Sequence, residues 1–90
     1  MAILDDAKEA VFGERQQTYG HPLEDFMRAS RMVEAYLAAR PMGTLRAQDV
    51  PLIMILIKIA RLMETPNHKD SVVDIAGYAQ AYARTVGIDP

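Results

Sequence analysis

The stretch VPLIMILIKIARLM, residues 50–63, decides the fold of this chain. Only Pro51, Lys58 and Arg61 interrupt its apolar character, so a helix formed by it is hydrophobic almost all the way round. Such a helix is buried on several sides, and we therefore predict that it is the central helix of the domain. The helix has fourteen residues and a length of about 21 Å, whereas roughly 20 apolar residues are needed to span a bilayer. No membrane span is therefore predicted.

Lys58 is the informative residue of this helix. An unpaired buried ammonium costs several kcal/mol, so the side chain either reaches solvent at an edge of the bundle or pairs with a carboxylate from another helix. In the first case Lys58 is an ordinary structural residue. In the second case it marks a cation beside an acidic site.

Composition limits the class of protein. The 90 residues make one domain, small enough to be marginally stable alone, which favours association with another chain. The net charge of −2 argues against a general nucleic-acid binder, whose footprint is an excess of Lys and Arg on one face. Because there is no Cys, disulfides and thiolate metal sites are excluded. The start, MAILDDAKEA, lacks the basic and then apolar order of a signal peptide, which predicts a cytoplasmic protein.

Turn-forming residues divide the rest of the chain into three further helices. The predicted ranges are 4–17, 22–39 and 68–86. Asp49 is expected to cap the central helix, with Pro51 tolerated in its first turn, and Gly87 suits a left-handed conformation at the end of the last helix. The predicted fold class is all-α, a four-helix-bundle-like single domain of residues 1–90 with no credible strand.

Apolar spacing predicts which faces of the outer helices are buried. In the helix over 22–39 the predicted inner stripe consists of Leu23, Phe26, Met27, Val33, Tyr36 and Leu37, and the predicted outer residues are Arg28, Arg31, Glu34 and Arg40. In the last helix the predicted apolar positions are Val72, Ile75, Ala76, Ala79, Tyr82, Ala83 and Val86. Small residues dominate IAGYAQAYA, which favours close approach to a neighbouring helix. Gly77 in mid-helix costs stability, so we expect that close packing or a ligand requires a glycine there.

Asp70 and Asp74 are the strongest local signal for a metal site. Their spacing of four residues puts both carboxylates on one helical face, where they repel each other unless a cation lies between them. Mg²⁺ takes oxygen ligands, keeps several waters and bridges to phosphates, so a few carboxylates suffice. The alternative is structural: Asp70 offsets the helix dipole, and Asp74 only pairs with Lys58. Gly77 and Tyr78 are expected beside the same face.

Glu24 and Asp25, at the start of the helix over 22–39, are a second candidate acidic group. The preceding turn brings together an acid, a guanidinium, an amide, a phenol and an imidazole, in Glu14, Arg15, Gln16, Tyr19 and His21. This mixture is typical of a ligand-binding edge, since loops on a rigid scaffold tend to carry binding residues. The alternative is that Glu24 and Asp25 only offset the helix dipole and His21 is solvated. Tyr19 and Tyr78 could stack on a base, or serve as core residues with a solvated hydroxyl.

Nucleophilic catalysis is not indicated. Ser30 and Ser71 have no evident His partner, and the chain contains no Cys, glycine-rich phosphate loop or HExxH pattern.

Three segments carry a resemblance to a known family. ERQQTYGHPLEDF at 14–26, DVPLIMILIKIARL at 49–62 and DSVVDIAGYA at 70–79 resemble a family of small, often phage-encoded proteins of unassigned function with an ERQ-x-TYGHP-x-x-x-F signature. The helices of this family carry acids on one helix, a Lys on the central helix and a D-x-x-x-D-I-A-G-Y motif on a later one. This helical arrangement is in turn similar to the all-α nucleoside triphosphate pyrophosphohydrolases of the MazG and dimeric dUTPase type.

The resemblance implies an oligomeric, Mg²⁺-dependent enzyme that converts a nucleoside triphosphate to a monophosphate and pyrophosphate, acting in the host cytoplasm if phage-encoded. By position, it implies catalytic roles for Glu24, Lys58 and Asp74. The implied metal ligands are Glu24, Asp25, Asp70 and Asp74, and the implied substrate-binding residues are Arg15, Gln16, Tyr19, His21 and Tyr78.

The chain also departs from the MazG pattern. The E-E-x-x-E spacing is absent, because Met27 and Arg28 follow Glu24 at the third and fourth positions, and Ser71 stands where E-x-x-D requires an acid three residues before Asp74. Fewer acids imply one metal instead of two, or a nucleotide-binding or sequestering protein without catalysis. A structural or host-interacting helical module is the third alternative.

Overall fold

The structure is a computed structural model, and it describes residues 22–89. In this range the chain forms three helices and no strand: α1, Pro22–Ala39; α2, Asp49–Glu64; and α3, Lys69–Thr85. The all-helical class is therefore confirmed for the described residues, and each helix lies within a residue or so of its predicted range. The predicted helix over 4–17 lies outside them. Of the three described helices, none is long and apolar enough to cross a membrane.

The central position of α2 is confirmed, because α1 and α3 both pack along it. Its burial is less complete than predicted. Asp49, Pro51 and Ala60 are buried, whereas residues 52–59 are half-buried. Two neighbouring helices leave part of a cylinder uncovered, so the described residues alone do not enclose the apolar surface of α2.

The start of α2 depends on Asp49, although not as the cap that was predicted. Gln48 holds the cap position without a side-chain hydrogen bond, and Asp49 is the first helical residue. The fully buried Asp49 carboxylate reaches back and accepts the backbone N–H of Arg46 at 2.7 Å. Pro51 lies in the first turn as predicted, where its missing N–H has no intrahelical partner to lose.

The inner face of α1 differs from the prediction. Its buried residues are Asp25 and Ala29, and four residues of the predicted inner stripe are exposed: Leu23, Phe26, Met27 and Leu37. Arg28 and Arg40, predicted to face outward, instead form ion pairs with side chains of α2. The side of α1 that faces α2 is therefore mixed: Ala29, Val33 and Tyr36 lie between ion pairs at its two ends, and a hydrophobic stripe alone does not reveal it.

Both ends of α3 are closed by specific hydrogen bonds. His68 is the N-cap residue, and its Nδ1 accepts the backbone N–H of Ser71 at 3.2 Å. At the other end Gly87 takes a φ of +80°, as predicted, and the N–H of Ile88 donates to the carbonyl of Ala83 at 2.8 Å. This six-to-one hydrogen bond is the Schellman motif.

The buried face of α3 is also only partly the predicted one. Ser71 is the buried residue of this helix, with Ile75 and Tyr82 half-buried, while Val72, Ala76 and Ala79 are exposed. Gly77 is exposed too, and a Cβ built on it meets no described atom within 4 Å. Close helix packing within the described chain therefore does not explain the glycine.

Candidate functional site

Lys58 of α2 and Asp74 of α3 form the ion pair that was given above as the structural alternative for Asp74. The Lys58 Nζ lies 3.0 Å from the Asp74 Oδ2, and the two side chains are 15% and 45% exposed. Of the two interpretations of Lys58, the structure therefore shows the paired one. The carboxylate stays partly in water, so one of its faces is open to a further ligand.

An open groove of about 310 Å³ lies beside this pair. It is lined by Val73, Asp74, Gly77, Tyr78 and Ala81. The expectation that Asp74, Gly77 and Tyr78 share one side of the helix is confirmed. Gly77 lies between Asp74 and Tyr78 on this surface, and a Cβ built on it would extend into open space.

The other predicted metal ligands do not join Asp74 there. Asp70 is exposed and does not line the groove. Between residues 22 and 89 there is no group of three or more His, Cys, Asp or Glu side chains that could hold a metal ion. The expected convergence of acids from two helices beside Lys58 is therefore not seen in the described part of the chain.

Asp25 is instead held between guanidinium groups. It is 4% exposed, its Oδ2 lies 3.5 Å from the Arg61 Nε, and its Oδ1 lies 3.9 Å from the Arg28 Nη1. Arg28 in turn donates to Glu64 at 3.0 Å. The charges alternate along this network, which joins the start of α1 to the end of α2. A metal ion at Asp25 would have to displace at least one of these cations.

Glu24 lies on a different groove, of about 490 Å³. The residues lining it are Glu24, Met27, Arg28, Arg31, Met32 and Met63. It has no residue in common with the groove beside Asp74. Its three methionines and two arginines make an apolar floor with a charged rim.

The Asp49 cluster was missed by the sequence argument, which treated Asp49 only as a cap. Tyr36 donates to Asp49 at 2.5 Å, and the guanidinium groups of Arg40 and Arg46 lie 3.3 and 3.4 Å from it. The hydrogen bonds from Tyr36 and from Arg46 hold the pKa of Asp49 well below its usual range. The same bond raises the pKa of Tyr36, since Asp49 accepts the phenolic proton. No local sequence pattern predicts this cluster, because its members come from α1, from the connection between α1 and α2, and from α2.

Of the predicted substrate-binding residues, only Tyr78 falls within the described chain, where it is half-buried on α3. Arg15, Gln16, Tyr19 and His21 lie outside it.

Within residues 22–89 the fold is thus all-helical, with the Lys58–Asp74 ion pair beside an open groove, and comparison with known proteins gives the family of the chain. Residues 2–86 match the family described as a domain of unknown function, DUF6378, and the chain belongs to that family. It is similar to the Gene 55 protein of Mycobacterium phage D29, with 40% identity over 83 residues that cover 92% of this chain and 52% of the relative. It is likewise similar to the Gene 55 protein of Mycobacterium phage L5, with 44% identity over 79 residues that cover 88% of this chain and 49% of the relative.

The chain thus spans about half the length of the curated relatives it matches. No solved structure matches it. The resemblance to a phage-associated family of unassigned function is confirmed, and these matches show no similarity to MazG-like enzymes.

Proposed function

We propose that this chain is a phage-encoded, MazG-like, Mg²⁺-dependent nucleoside triphosphate pyrophosphohydrolase that acts as a dimer or larger assembly in the host cytoplasm. The complete fold in this proposal is a four-helix bundle that includes the predicted helix over 4–17. The observation that carries the proposal is the Lys58–Asp74 pair at 3.0 Å beside the groove that Asp74, Gly77 and Tyr78 line.

The groove offers the groups that such a reaction needs at its phosphate end. The exposed part of the Asp74 carboxylate would be a Mg²⁺ ligand, and Lys58 would lie near the phosphates and orient Asp74. Mg²⁺ is commonly bound through one or two carboxylates, with waters and substrate phosphates completing its shell, so a single acid from this chain is compatible with it. When bound, the ion would offset phosphate charge and activate water.

The bond changes balance without any further reactant. A water oxygen forms a bond to the α-phosphorus, the bond from that phosphorus to the bridging oxygen breaks, and pyrophosphate leaves with a nucleoside monophosphate as the second product. A carboxylate that accepts a proton from the attacking water would serve as general base. Tyr78 lines the same groove, so its ring would be available to stack on the base.

This proposal does not need every predicted ligand. Asp25 is already balanced by two guanidinium groups, and Glu24 lines the other groove. The assignments of Arg15, Gln16, Tyr19 and His21 to the substrate remain part of the proposal, and so does that of Asp70 to the metal.

A non-catalytic nucleotide-binding protein is the second candidate. It is favoured by one specific observation: residues 22–89 contain no group of three acidic or imidazole side chains that could hold a metal. A binding protein needs the groove and the cation, but not a metal that activates water.

Pyrophosphate release tests the two candidates against each other. The full chain is incubated with Mg²⁺ and each of the common ribo- and deoxyribonucleoside triphosphates, and its melting temperature is recorded with the same ligands. The enzyme proposal expects release that falls at least about a hundredfold in Asp74→Asn, because the metal ligand is lost. The exposed acid Glu34 on α1 supplies the matched control, and Glu34→Gln keeps the wild-type rate.

The outcomes separate the candidates clearly. Thermal stabilisation by a nucleotide without release supports the binding protein. Absence of both effects over the whole panel contradicts both candidates and leaves the structural or host-interacting module.

A further inference from the structure

The groove that contains Glu24 has the composition of an interface between proteins. Met27 and Met63 are 45% and 61% exposed in it, and Arg28, Arg31 and Glu24 stand around them. An apolar centre with a charged rim is the usual anatomy of a protein–protein contact, and methionine adapts its shape to a partner.

The charges on this face of α1 are arranged for pairing with themselves. Glu24 and Arg31 are seven residues apart, so they lie on one side of the helix about 10.5 Å from each other. Neither side chain has an ion pair within residues 22–89, whereas Arg28 between them is neutralised by Glu64. Among the described residues, the face therefore presents one negative and one positive charge without an ion-pair partner, two helical turns apart.

We propose that this face binds a second copy of the same chain, with the two α1 helices antiparallel about a twofold axis between Met27 and Arg28. In this arrangement Glu24 of each copy faces Arg31 of the other, and the two ion pairs are reciprocal, as an isologous interface requires. A parallel arrangement would instead put like charges opposite each other. The proposal assigns an interface to the dimer that the proposed function includes, and its test does not depend on nucleotide turnover.

The described chain also has a reason to associate. Within it, the buried residues with apolar side chains are Ala29, Pro51 and Ala60, and its largest fully buried side chains, Asp49 and Ser71, are polar. The described residues therefore leave much of their apolar surface uncovered, and a second copy that covers more of it would add stability. In the groove on α1, Glu24 and Arg31 would in addition determine the orientation of the second copy.

Charge-reversal variants of the full chain test the interface by sedimentation velocity over a range of concentrations. The wild type is expected to be a dimer. Arg31→Glu alone and Glu24→Arg alone each put like charges opposite each other, and the dissociation constant rises about tenfold or more. The double variant Glu24→Arg/Arg31→Glu restores both attractions and recovers the dimer.

A mixture of the two single variants gives the sharpest outcome. Neither forms a stable homodimer, but together they form a heterodimer in which both ion pairs are attractive, and native mass spectrometry of isotopically labelled chains detects it. Arg84→Glu, at an exposed arginine in the last turn of α3, is the matched control and leaves the dimer unchanged.

Three results would overturn the proposal: a monomeric wild type, a dimer that the single reversals leave intact, or single variants that do not associate when mixed. Circular dichroism verifies that each variant is folded. If Glu24→Arg does not fold, Arg31→Glu is compared with Glu24→Gln/Arg31→Glu, in which the repulsion is removed and the dissociation constant falls. A constant that does not fall in this comparison also contradicts the proposal.

Discussion

The carboxylates of Asp49 and Asp74 both pair with cations, yet they belong to two different kinds of region. Asp49 is fully buried, and it accepts hydrogen bonds from Tyr36 and from the backbone and side chain of Arg46. Asp74 is about half exposed, and the ion pair with Lys58 is its single contact of this kind in the described chain. A buried charge with all its lone pairs used holds a fold together, whereas an exposed charge with one partner remains available to a ligand.

The Asp49 cluster joins the two ends of the connection between α1 and α2. Arg40 donates to the carbonyls of Gly43 and Thr44 at 3.1 Å each, in addition to its ion pair with Asp49. Gly43 takes a φ of +128°, which other residues rarely adopt, and this lets the connection turn back toward α2. One carboxylate therefore determines the path of residues 40–48.

Removing the Asp49 charge should produce the largest effect on stability. Asp49→Asn keeps the shape of the side chain but leaves Arg40 buried without its counter-charge and places an amide N–H₂ opposite other donors. We expect the melting temperature to fall by roughly 10 °C or more, measured by circular dichroism. Asp89→Asn, at an exposed acid near the end of the described chain, is the control and should melt within about 2 °C of the wild type. An equal change in the two variants would contradict a structural role for Asp49.

Removing the Tyr36 hydroxyl should have a smaller effect on the same cluster. Tyr36→Phe deletes one hydrogen bond to a carboxylate and leaves the ring packed between α1 and α2. A hydrogen bond to a charged group contributes about 1.5 to 3 kcal/mol to the free energy of unfolding, which urea denaturation can measure. A variant as stable as the wild type would show that Arg40 and Arg46 alone hold the carboxylate.

The low pKa of Asp49 predicts how stability depends on pH. Because the folded pKa lies below the unfolded value of 3.8, the stabilisation is fully present above about pH 5 and is lost as the pH falls toward the folded pKa. The melting temperature of the wild type should therefore decrease between pH 5 and pH 3, and that of Asp49→Asn should decrease less. Parallel curves for the two proteins would assign the acid sensitivity to other groups.

The positions of the helices could be predicted from the sequence because local signals mark them. Pro22 starts α1, Gly87 ends α3, and the apolar run around Lys58 identifies α2 as the central helix, all within a few residues of the observed bounds. The rotation of the outer helices could not be predicted in the same way. The contact between Arg28 and Glu64 joins residues 36 positions apart, and a hydrophobic stripe does not reveal such a pair.

The same distinction applies to the candidate site. Lys58 was expected either to reach solvent or to pair with a carboxylate, and its pairing with Asp74 was one of the alternatives that the sequence offered. The family resemblance implied Asp25 as a metal ligand, but Arg61 lies close enough to pair with it. The choice between a cation and a metal as the partner of an acid depends on tertiary distances, which the sequence does not contain.

Substitutions in the Lys58–Asp74 pair should have the smallest effect on stability, in contrast to those of Asp49. Asp74→Asn removes an ion pair whose carboxylate is partly exposed, and its amide oxygen can still accept a hydrogen bond from Lys58, so the melting temperature should change by a few degrees at most. Lys58→Met should likewise be tolerated, because it removes the charge and keeps a long, adaptable apolar side chain. If Asp74→Asn instead destabilised the chain as strongly as Asp49→Asn, Asp74 would be a structural residue and the groove beside it would lose its claim to a ligand. Near-wild-type melting together with lost nucleotide stabilisation or lost pyrophosphate release would mean that Asp74 is held for binding, since a residue with little part in folding would then be essential to the site.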